Sequence, residues 1–447
     1  MDAAPVVAVL PADTAEVAAV VKICAETGTP VTARGSGTGL TGGPVPLSGG
    51  ALLSLERLKH LEIDAANVCA VAGAGVITQD IQNAAAGDGL MYPPDPASHQ
   101  MSTIGGNVAC NSGGMSCMKY GLTADYVLGE TVVLADGRVL QLGGRTRKRS
   151  SGYRLMSLFV GSEGTLGIVT EVVLKLIPLP RSRATAMVGY RTMDDAAVAV
   201  SRVLGSGHFP AALELMDREA LDLVGHLLPP GFKPDLGAVV IVEQDGNDVE
   251  RVRVDLESIV GLLGGVDNRL AQSEAEREGL WLARRSFGKC LMEIRKNFFA
   301  EDISVPIAAV PEAVRRFQKL SRDTGVVIAT VGHAGDGNLH PAIIFTDQQR
   351  HLVGPMAAHI FRDAVELGGS ISAEHGLGAL KRDHATLEHG TDAIGLMRQL
   401  KARFDPLGIL NPHKVLPEGP PDDSFLERMP GWGKKVASGR DRSDVGA

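Results

Sequence analysis

The segment His333-Ala-Gly-Asp-Gly-Asn-Leu-His340 lies between two apolar runs and constrains the fold of this chain more than any other segment. Such runs are typical of strands, and an Asp-Gly pair between them is a strong hairpin signal. If Asp336-Gly337 forms the whole loop, His333 and His340 lie directly opposite each other, with Cβ atoms about 4.5–5.5 Å apart. Two imidazoles at that distance can bind one divalent ion. The alternative is a polar turn whose histidines pair by accident.

A metal site here needs a third, preferably anionic ligand, and Glu374 in Glu374-His375-Gly376 is the candidate. Two imidazoles and one carboxylate suit Zn, Mn and Fe alike, so the residues predict one divalent ion without choosing among these metals. Adjacent residues on a regular strand point to opposite faces, so Glu374 and His375 can face one site only where the backbone breaks. Gly376 and Gly378 indicate such a break.

The composition is that of a globular protein, because 44% of the 447 residues are hydrophobic and 21% are charged. This length suffices for two or three domains. The net charge of −8 makes nucleic acid and anionic membrane surfaces unexpected partners.

The five cysteines lack Cys-x-x-Cys spacing, which argues against a zinc ribbon or a four-cysteine iron–sulfur cluster. No signal peptide or apolar run of about 18 residues is found, so we expect a soluble cytoplasmic protein without a transmembrane segment.

Local signals predict several helices and turns, and the composition changes along the chain. Asp13-Thr-Ala-Glu16 is a capping pattern that begins a helix, and Asp136-Gly137 predicts a second hairpin. Beyond Pro178–Arg183 the chain is poorer in glycine, and helices of ordinary length alternate with strands. After Pro417 it becomes rich in proline, glycine and charge, so we expect residues 418–447 to be disordered.

The loop Arg34–Gly43 contains five glycines directly after a predicted strand. It includes a G-x-G-x-x-G pattern, but a Rossmann fingerprint requires a helix to begin there, and Pro44 and Pro46 prevent this. The loop instead offers successive backbone N–H groups that can bind a diphosphate. Two more loops, residues 102–114 and 161–167, have the same character. One glycine loop is usually only a turn, whereas three with interleaved Ser, Thr and Asn favour a large phosphate-bearing cofactor.

Six motifs carry a family resemblance: Pro30–Gly43, Pro93–Pro96, Ser102–Asn107, Leu158–Val169, Gly332–Pro341 and Asn411-Pro412. Their order and spacing resemble the FAD-linked 2-hydroxy-acid oxidoreductases of the vanillyl-alcohol-oxidase superfamily. Within that superfamily the chain is most similar to glycolate oxidase flavoprotein subunits and D-lactate dehydrogenases. The resemblance covers residues 5–417. Relatives often carry a helical lead before the first strand, and its lack here is consistent with a late start codon or a lost segment.

The resemblance implies an α+β fold in two domains. It implies an FAD-binding domain of the PCMH type, made of two subdomains, at residues 1–181. It implies a ferredoxin-like α+β cap domain, which binds the substrate, at residues 182–405. Residues 406–417 are expected to return to the flavin domain.

The resemblance also implies which residues hold the cofactor. The implied set is Arg34, Gly35, Ser36, Gly37, Thr38, Gly39, Leu40, Thr41, Asp95, Pro96, Ser98, Thr103, Gly105, Gly106, Asn107, Asn111, Gly113, Gly114, Gly121, Glu163, Gly164, Gly167, Ile168, Val169 and Asn411. We expect non-covalent FAD, because the loop Arg34–Gly43 has no histidine to form a covalent bond, although His99 lies close to the second loop.

For the reaction, the resemblance implies a divalent ion on His333, His340 and Glu374, with His375 as the proton acceptor. It assigns Arg284 to the substrate carboxylate. The alternative for Arg284 is a solvated arginine on a helix face.

The implied substrate is a small (R)-2-hydroxy acid, glycolate or D-lactate, which is oxidised to the 2-oxo acid. Ala300 stands where the 2-hydroxyglutarate enzymes of the family present a lysine, and Gly288 lacks the hydroxyl that they offer nearby. A buried second carboxylate without a cation is strongly disfavoured. D-2-hydroxyglutarate remains an alternative, since Arg154 or Arg285 can substitute for the missing lysine.

The electron acceptor is expected to be another protein, since neither haem nor cluster spacing is found in the chain. The resemblance implies iron–sulfur and flavoprotein-like partner subunits that feed quinone. Peripheral attachment to the inner membrane through these partners is compatible with a cytoplasmic protein. Two alternatives stay open: an oxidase that uses oxygen directly, and a redox-inactive FAD-binding scaffold subunit.

Overall fold

The structure, a computed structural model, describes residues 3–228, 235–294 and 297–428. Its N-terminal domain begins with a small parallel sheet in the order β1-β3-β2. An antiparallel sheet follows in the order β4-β5-β9-β7-β8, and β6 pairs with β10. The elements are β1 (Val7–Val9), α1 (Thr14–Thr27), β2 (Val31–Arg34), β3 (Ala51–Ser54), β4 (Leu61–Asp64), β5 (Cys69–Gly73), α2 (Thr78–Gly87), β6 (Leu90–Met91), α3 (Ile104–Cys110), α4 (Cys117–Tyr120), β7 (Val127–Val133), β8 (Val139–Gly143), β9 (Ile168–Lys175) and β10 (Ile177–Pro178).

Two local predictions in this domain are confirmed. The Asp13 side chain accepts a hydrogen bond from the backbone N–H of Glu16 at 2.9 Å, as a helix N-cap does, and Gly28 ends α1 with a φ of 67°. The Asp136-Gly137 pair lies at the turn between β7 and β8, where Val133 pairs with Val139. Both signals act between residues close in sequence, which is why they can be read without tertiary information.

The cap domain is built on a second antiparallel sheet. Among the described residues its strands run in the order β14-β11-β13-β12-β17-β18-β15, and β16 also pairs with β18. The elements are β11 (Ser182–Tyr190), α5 (Met193–Gly205), β12 (Ala212–Asp217), α6 (Arg218–Val224), β13 (Ala238–Gly246), α7 (Val249–Leu263), β14 (Asp267–Leu270), α8 (Glu274–Ile294), β15 (Phe298–Ala300), β16 (Ile303–Ser304), α9 (Val310–Thr324), β17 (Val327–His333), β18 (Asn338–Ile344), α10 (Arg350–Glu366) and α11 (Ala385–Phe404).

The first half of the cap has the ferredoxin-like topology that the resemblance implied. The chain runs β11-α5-β12, continues through α6 to β13-α7-β14, and the four strands lie in the order β14-β11-β13-β12. The second half continues this sheet from β12 through β17 and β18. The β17–β18 hairpin carries both histidines of the expected metal site, so the sheet extension positions the site.

The chain passes between the domains close to the expected boundary. Strand β10 ends at Pro178, whereas β11 begins at Ser182 and belongs to the cap sheet. The boundary between residues 181 and 182 stays a prediction. After α11 the chain returns to the N-terminal domain, where Leu410 forms a parallel bridge with Val31. In the described part of the chain, the helices are too short or too polar to span a bilayer.

The expected disorder after Pro417 is wrong for residues 418–428. Phe425 and Leu426 are each 2% exposed and belong to the cap core, and the ring of Phe425 lies 6.2 Å from that of Phe361. Burial of two large apolar side chains outweighs the polar composition around them. Residues 429–447, the rest of the expected disordered tail, lie outside the described residues.

Candidate active site

A cavity of about 420 Å³ lies in the N-terminal domain and is closed on one side by residues of the cap. This volume is within the range of small-molecule and cofactor sites. Most residues that the sequence assigned to a cofactor line it: Arg34, Gly35, Ser36, Gly37, Thr38, Gly39, Leu40, Pro96, Ser98, Thr103, Gly105, Gly106, Asn107, Glu163, Gly164, Gly167, Ile168, Val169 and Asn411. The cap contributes Met292, Glu374 and His375, so the cavity meets the expected metal site.

The other residues assigned to the cofactor are not among the lining residues: Thr41, Asp95, Asn111, Gly113, Gly114 and Gly121. Several of them contact the site or fix the loops around it. The Thr41 hydroxyl donates to the backbone oxygen of His375 at 3.2 Å. Asn111 ends α3 in the left-handed conformation, and Asp95 accepts hydrogen bonds from Ser116. A Cβ on Gly113 would lie 2.9 Å from Glu374 Oε2, so this glycine allows the close approach of the carboxylate.

Several lining residues were not predicted. Most are small or apolar neighbours of the predicted loops, and a wider margin around each loop would have included them: Ala33, Gly43, Pro44, Leu55, Ala74, Ala97, Met101, Ser102, Ala109, Cys110, Ser112, Phe159 and Ser162. Met292 lies on α8 of the cap, and no local signal connects it with the glycine loops.

The cavity fits a large cofactor with phosphate groups and hydrogen-bond donors. The glycine loops pack so tightly that a Cβ on Gly105 would lie 2.6 Å from Ala74 Cβ, so backbone forms the wall there. Arg34 supplies a cation, and its guanidinium lies against the backbone of Gly37. Asn411 Oδ1 is buried and accepts no hydrogen bond within the described residues, although Asn411 lines the cavity. A buried acceptor of this kind requires a donor, which a bound cofactor can provide.

The histidine hairpin forms, but its predicted register is wrong by two residues. His333 pairs with Asn338, and His340 pairs with Val331, so residues 334–337 form a four-residue loop. The Asn338 side chain explains the difference, because its Nδ2 donates to Asp302 Oδ1 at 2.8 Å and to the backbone oxygen of Ile303 at 2.9 Å. A shift of two residues leaves side chains on the same face. His333 and His340 are therefore diagonal neighbours, with ring centroids 5.2 Å apart.

Three histidines converge on one carboxylate oxygen. Glu374 Oε1 lies 3.6 Å from His333 Nε2, 3.4 Å from His340 Nε2 and 3.7 Å from His375 Nε2. Burial favours the neutral form of Glu374, but His333 and His340 outweigh it and hold the pKa of this carboxyl well below its ordinary value. Neutral imidazoles and a carboxylate at this spacing are a suitable ligand set for a divalent ion.

The Nδ1 atom of His333 has a partner that the sequence did not reveal. Glu214, which is fully buried, places Oε1 2.5 Å from this atom. The Nδ1 nitrogen therefore donates to Glu214, which leaves Nε2 as the atom that can bind an ion beside Glu374. Burial opposes protonation of His333, yet Glu214 and Glu374 outweigh it and raise the pKa of the ring well above its ordinary value. The signal for Glu214 in the sequence was an acidic residue between the apolar residues Leu213 and Leu215 of β12.

Arg284 lies outside the cavity and contacts Glu214 instead. Its Nε donates to Glu214 Oε2 at 2.7 Å, and its side chain is 12% exposed. Within the described residues, the terminal nitrogens of Arg284 have no hydrogen-bond partner. These nitrogens can therefore donate to an anion.

The turn that carries Glu374 and His375 surrounds a buried carboxylate, Asp302. Asp302 Oδ2 accepts hydrogen bonds from the backbone N–H groups of Ala373, Glu374 and His375 at 2.9–3.0 Å. Burial disfavours the Asp302 carboxylate, but His375 and the lysine behind it outweigh this and lower its pKa. The expected break in the backbone is present, since Gly376 and Gly378 have φ of 78° and 51°.

Asp302 can be grouped with His340, Glu374 and His375 as a second possible donor set, with ligand atoms within 4.8 Å of one another. Its oxygens are already engaged by five hydrogen bonds from Ser372, Asn338 and the backbone groups. The histidine atoms nearest to Asp302 are Nδ1 atoms, at 3.8 and 4.0 Å. The Glu374 side, where three Nε2 atoms meet, is chemically better suited to an ion.

His375 lies where the expected metal site meets the cofactor cavity. It lines the cavity, and its ring stacks on that of His340 with centroids 5.3 Å apart. Burial lowers the pKa of His375, although Asp302 and Glu374 oppose this. The ring is therefore neutral at neutral pH and able to accept a proton.

Two protein families match this chain. Residues 179–415 match the family of FAD linked oxidases, C-terminal domain, and residues 5–143 match an FAD binding domain family. The first match alone covers more than half of the chain. The chain belongs to the FAD-linked oxidases. The prediction that it is an FAD-dependent oxidoreductase is confirmed by this membership.

Named relatives of this FAD-linked oxidase align along almost its whole length. The glycolate oxidase subunit GlcD of Bacillus subtilis (strain 168) is 40% identical over 417 residues, which are 92% of this chain and 89% of that protein. The D-lactate dehydrogenase of Anaerostipes hadrus is 36% identical over 427 residues, covering 92% and 90% of the two chains. Both proteins are similar to this chain, and the substrates in their names are those of the relatives.

A solved structure of p-cresol methylhydroxylase with substrate bound superposes with a TM-score of 0.75. It is 18% identical, and the superposition covers 93% of this chain and 90% of that one. At this identity the likeness concerns the fold. The expected fold class, a PCMH-type FAD-binding domain with an α+β cap, is thereby confirmed.

Proposed function

We propose that the protein oxidises a small (R)-2-hydroxy acid, glycolate or D-lactate, to the corresponding 2-oxo acid, using non-covalent FAD and one divalent ion. The observation that carries this proposal is the convergence of His333, His340 and His375 on Glu374 at the edge of the FAD cavity. A 2-hydroxy acid has a carboxylate and a hydroxyl that can chelate one ion, so such a site suits it. A redox-inactive scaffold has no use for these four residues.

In this proposal His333, His340 and Glu374 hold the ion. When bound, FAD supplies the hydride acceptor and the ion acidifies the substrate hydroxyl. His375 accepts the hydroxyl proton at Nε2, the atom that faces Glu374 Oε1. Glu214 keeps the proton of His333 on Nδ1, so that Nε2 can bind the ion.

Arg284 is proposed to bind the substrate carboxylate through its terminal nitrogens. Its Nε is held by Glu214, and Glu214 in turn contacts His333, so the guanidinium is fixed relative to the ion. A purely structural role for Arg284 in neutralising Glu214 is the competing interpretation. Arg284→Lys keeps the positive charge but loses the planar fork, so it distinguishes these roles. An increase in KM with unchanged thermal stability supports substrate binding.

A monocarboxylate is favoured over 2-hydroxyglutarate by the charges around the cavity. Arg34 is the only lysine or arginine among the lining residues, and it belongs to the glycine loop. Ala300 and Gly288, which stand where dicarboxylate enzymes carry polar groups, offer no cation or hydroxyl. A second carboxylate would lose its hydration without gaining a partner.

Electrons are proposed to leave through partner proteins, iron–sulfur and flavoprotein-like subunits, which would also hold the protein at the inner membrane. The support for an assembly is that the Bacillus relative is named as a subunit. The five cysteines are all free, and their spacing offers no cluster within this chain.

The test is anaerobic bleaching of the flavin absorbance by glycolate, D-lactate, L-lactate and D-2-hydroxyglutarate, each mixed with the purified protein in a stopped-flow instrument. We expect fast bleaching by glycolate or D-lactate and slow bleaching by the other two. Fast reduction by D-2-hydroxyglutarate would establish the alternative substrate. A flavin that none of the acids reduces, although dithionite does, would favour the scaffold.

A further inference from the structure

The segment Ala373–Gly378, which carries Glu374 and His375, has no helix or strand, and its backbone N–H groups bind two carboxylates from different domains. Asp302 of the cap accepts from the first three N–H groups of the segment, at 2.9–3.0 Å. Glu163 of the N-terminal domain accepts from Leu377 at 2.8 Å and from Gly378 at 3.0 Å. Backbone N–H groups that curl around a carboxylate in this way form an anion nest.

Asp302 connects the segment with the histidine hairpin. Its Oδ1 accepts from the Asn338 side chain at 2.8 Å, and Asn338 pairs with His333 across the hairpin. Lys381 supports the same region, because its Nζ donates to the backbone oxygens of Asp302 at 2.6 Å and of Ile371 at 2.9 Å. The position of Glu374 relative to the two metal-binding histidines therefore depends on Asp302.

Glu163 connects the segment with the cofactor cavity. It lines the cavity, is 7% exposed, and has a φ of 51°, which is uncommon for a residue other than glycine. Its backbone is held on both sides, since its N–H donates to Ala109 O at 2.8 Å and Asn411 Nδ2 donates to its oxygen at 2.7 Å. A Cβ on Gly376 would lie 2.7 Å from Glu163 Oε1, so the segment and this carboxylate are in close contact.

We propose that Asp302 and Glu163 act together as positioning residues, each holding one end of the segment that carries Glu374 and His375. Asp302 sets the position of the segment relative to the histidine pair, and Glu163 sets it relative to the cofactor cavity. Neither carboxylate is required to touch the substrate. This inference rests on the proposed function, because it assigns to Glu374 and His375 the roles given above.

Asp302→Asn and Glu163→Gln test the inference, because an amide has one acceptor oxygen where the carboxylate has two. In the FAD-bound protein we expect backbone hydrogen exchange over residues 372–379 to become at least tenfold faster in each variant, with FAD still bound. We expect kcat for flavin reduction by the best substrate to fall about 10- to 100-fold with a smaller change in KM, because misplacement by about 1 Å can cost that much. The double variant should lose less activity than the product of the two single losses, since both hold one segment.

Asp217→Asn is the matched control. Asp217 is also buried and accepts two backbone hydrogen bonds, from Ala220 at 2.8 Å and Thr330 at 2.6 Å, but it does not contact the segment. It should leave exchange over residues 372–379 unchanged. If Asp302→Asn fails to fold, Ser372→Ala, which removes one hydrogen bond to Asp302 of 2.9 Å, provides a milder change at the same end.

The outcomes separate this inference from the proposed function. Unchanged hydrogen exchange in the segment, or a fall in activity equal to that of Asp217→Asn, overturns the positioning roles. Fast exchange in the variants, combined with a wild-type protein that oxidises none of the acids, overturns the proposed function and leaves the structural part of the inference standing.

Discussion

Glu130 in β7 should make the protein less stable as the pH rises from 6 to 8. The side chain is 3% exposed, and neither carboxylate oxygen has a hydrogen-bond partner among the described residues. Its strand neighbours are Val172 and Leu142, so the environment is apolar. Burial raises the pKa of Glu130 from the ordinary 4.5 to about 8. The folded protein therefore holds a proton that the unfolded chain has released.

The sign and size of the effect follow from this difference in bound protons. Well below the folded pKa, each pH unit lowers the free energy of unfolding by about 1.4 kcal/mol, and this slope falls by half at pH 8, where the folded carboxyl is half ionised, so about 2 kcal/mol is lost between pH 6 and pH 8. In a domain of about 150 to 250 residues, which is the size class of the N-terminal domain, that corresponds to a fall in thermal midpoint of roughly 4–8 °C. Glu130→Gln keeps the shape but cannot ionise, so it should remove this part of the fall.

The assay is thermal unfolding of the wild-type protein and Glu130→Gln, each at pH 6 and pH 8. Asp217 and Asp95, whose pKa values burial raises to about 8 and 7, are present in both proteins, so the difference isolates Glu130. Glu26→Gln, on the exposed side of α1, is the control and should behave as wild type. If Glu130→Gln loses as much stability as the wild type between the two pH values, the assignment of a buried, protonated glutamic acid is wrong.

Three further outcomes are expected. His333→Ala or His340→Ala should abolish turnover and metal binding while the flavin spectrum persists. Full activity in excess chelator, with no bound metal detected by elemental analysis, would contradict the metal site. Acid precipitation should release the yellow flavin into the supernatant, because the loop Arg34–Gly43 contains no histidine that could bond covalently to it. Yellow colour in the pellet would show a covalent flavin. The reduced protein should reoxidise in air far more slowly than it reduces dyes, and reoxidation as fast as turnover would identify an oxidase without a partner.

The sequence was sufficient where structure depends on neighbours in the chain. Asp13 caps a helix and Asp136-Gly137 makes a turn through contacts within a few residues, and both predictions were right. The three glycine loops were found for the same reason, since each is a local pattern and most of their residues line one cavity. The fold class followed from the family resemblance that these motifs carry.

The errors and omissions share a physical cause, which is contact between distant segments. The hairpin register depends on the bond from Asn338 to Asp302, and no pattern within the hairpin could indicate it. Glu214 meets His333 only because β12 and β17 are neighbours in the sheet. Phe425 is buried because the cap core accepts it, although the residues around it are polar.

The bond network of Glu163 has a consequence for attempts to build chimeras of this protein with its relatives. A cap grafted from another family member would bring its own catalytic turn, but the second anchor of that turn stays behind in the recipient's N-terminal domain. Under the proposed function, such a graft would hold the ion in a well-formed cap and still misplace it relative to the flavin, unless the donor turn and the recipient glutamate match. If the proposed function and the positioning roles hold, exchanging the specificity for an acid requires that both halves of this junction be exchanged together.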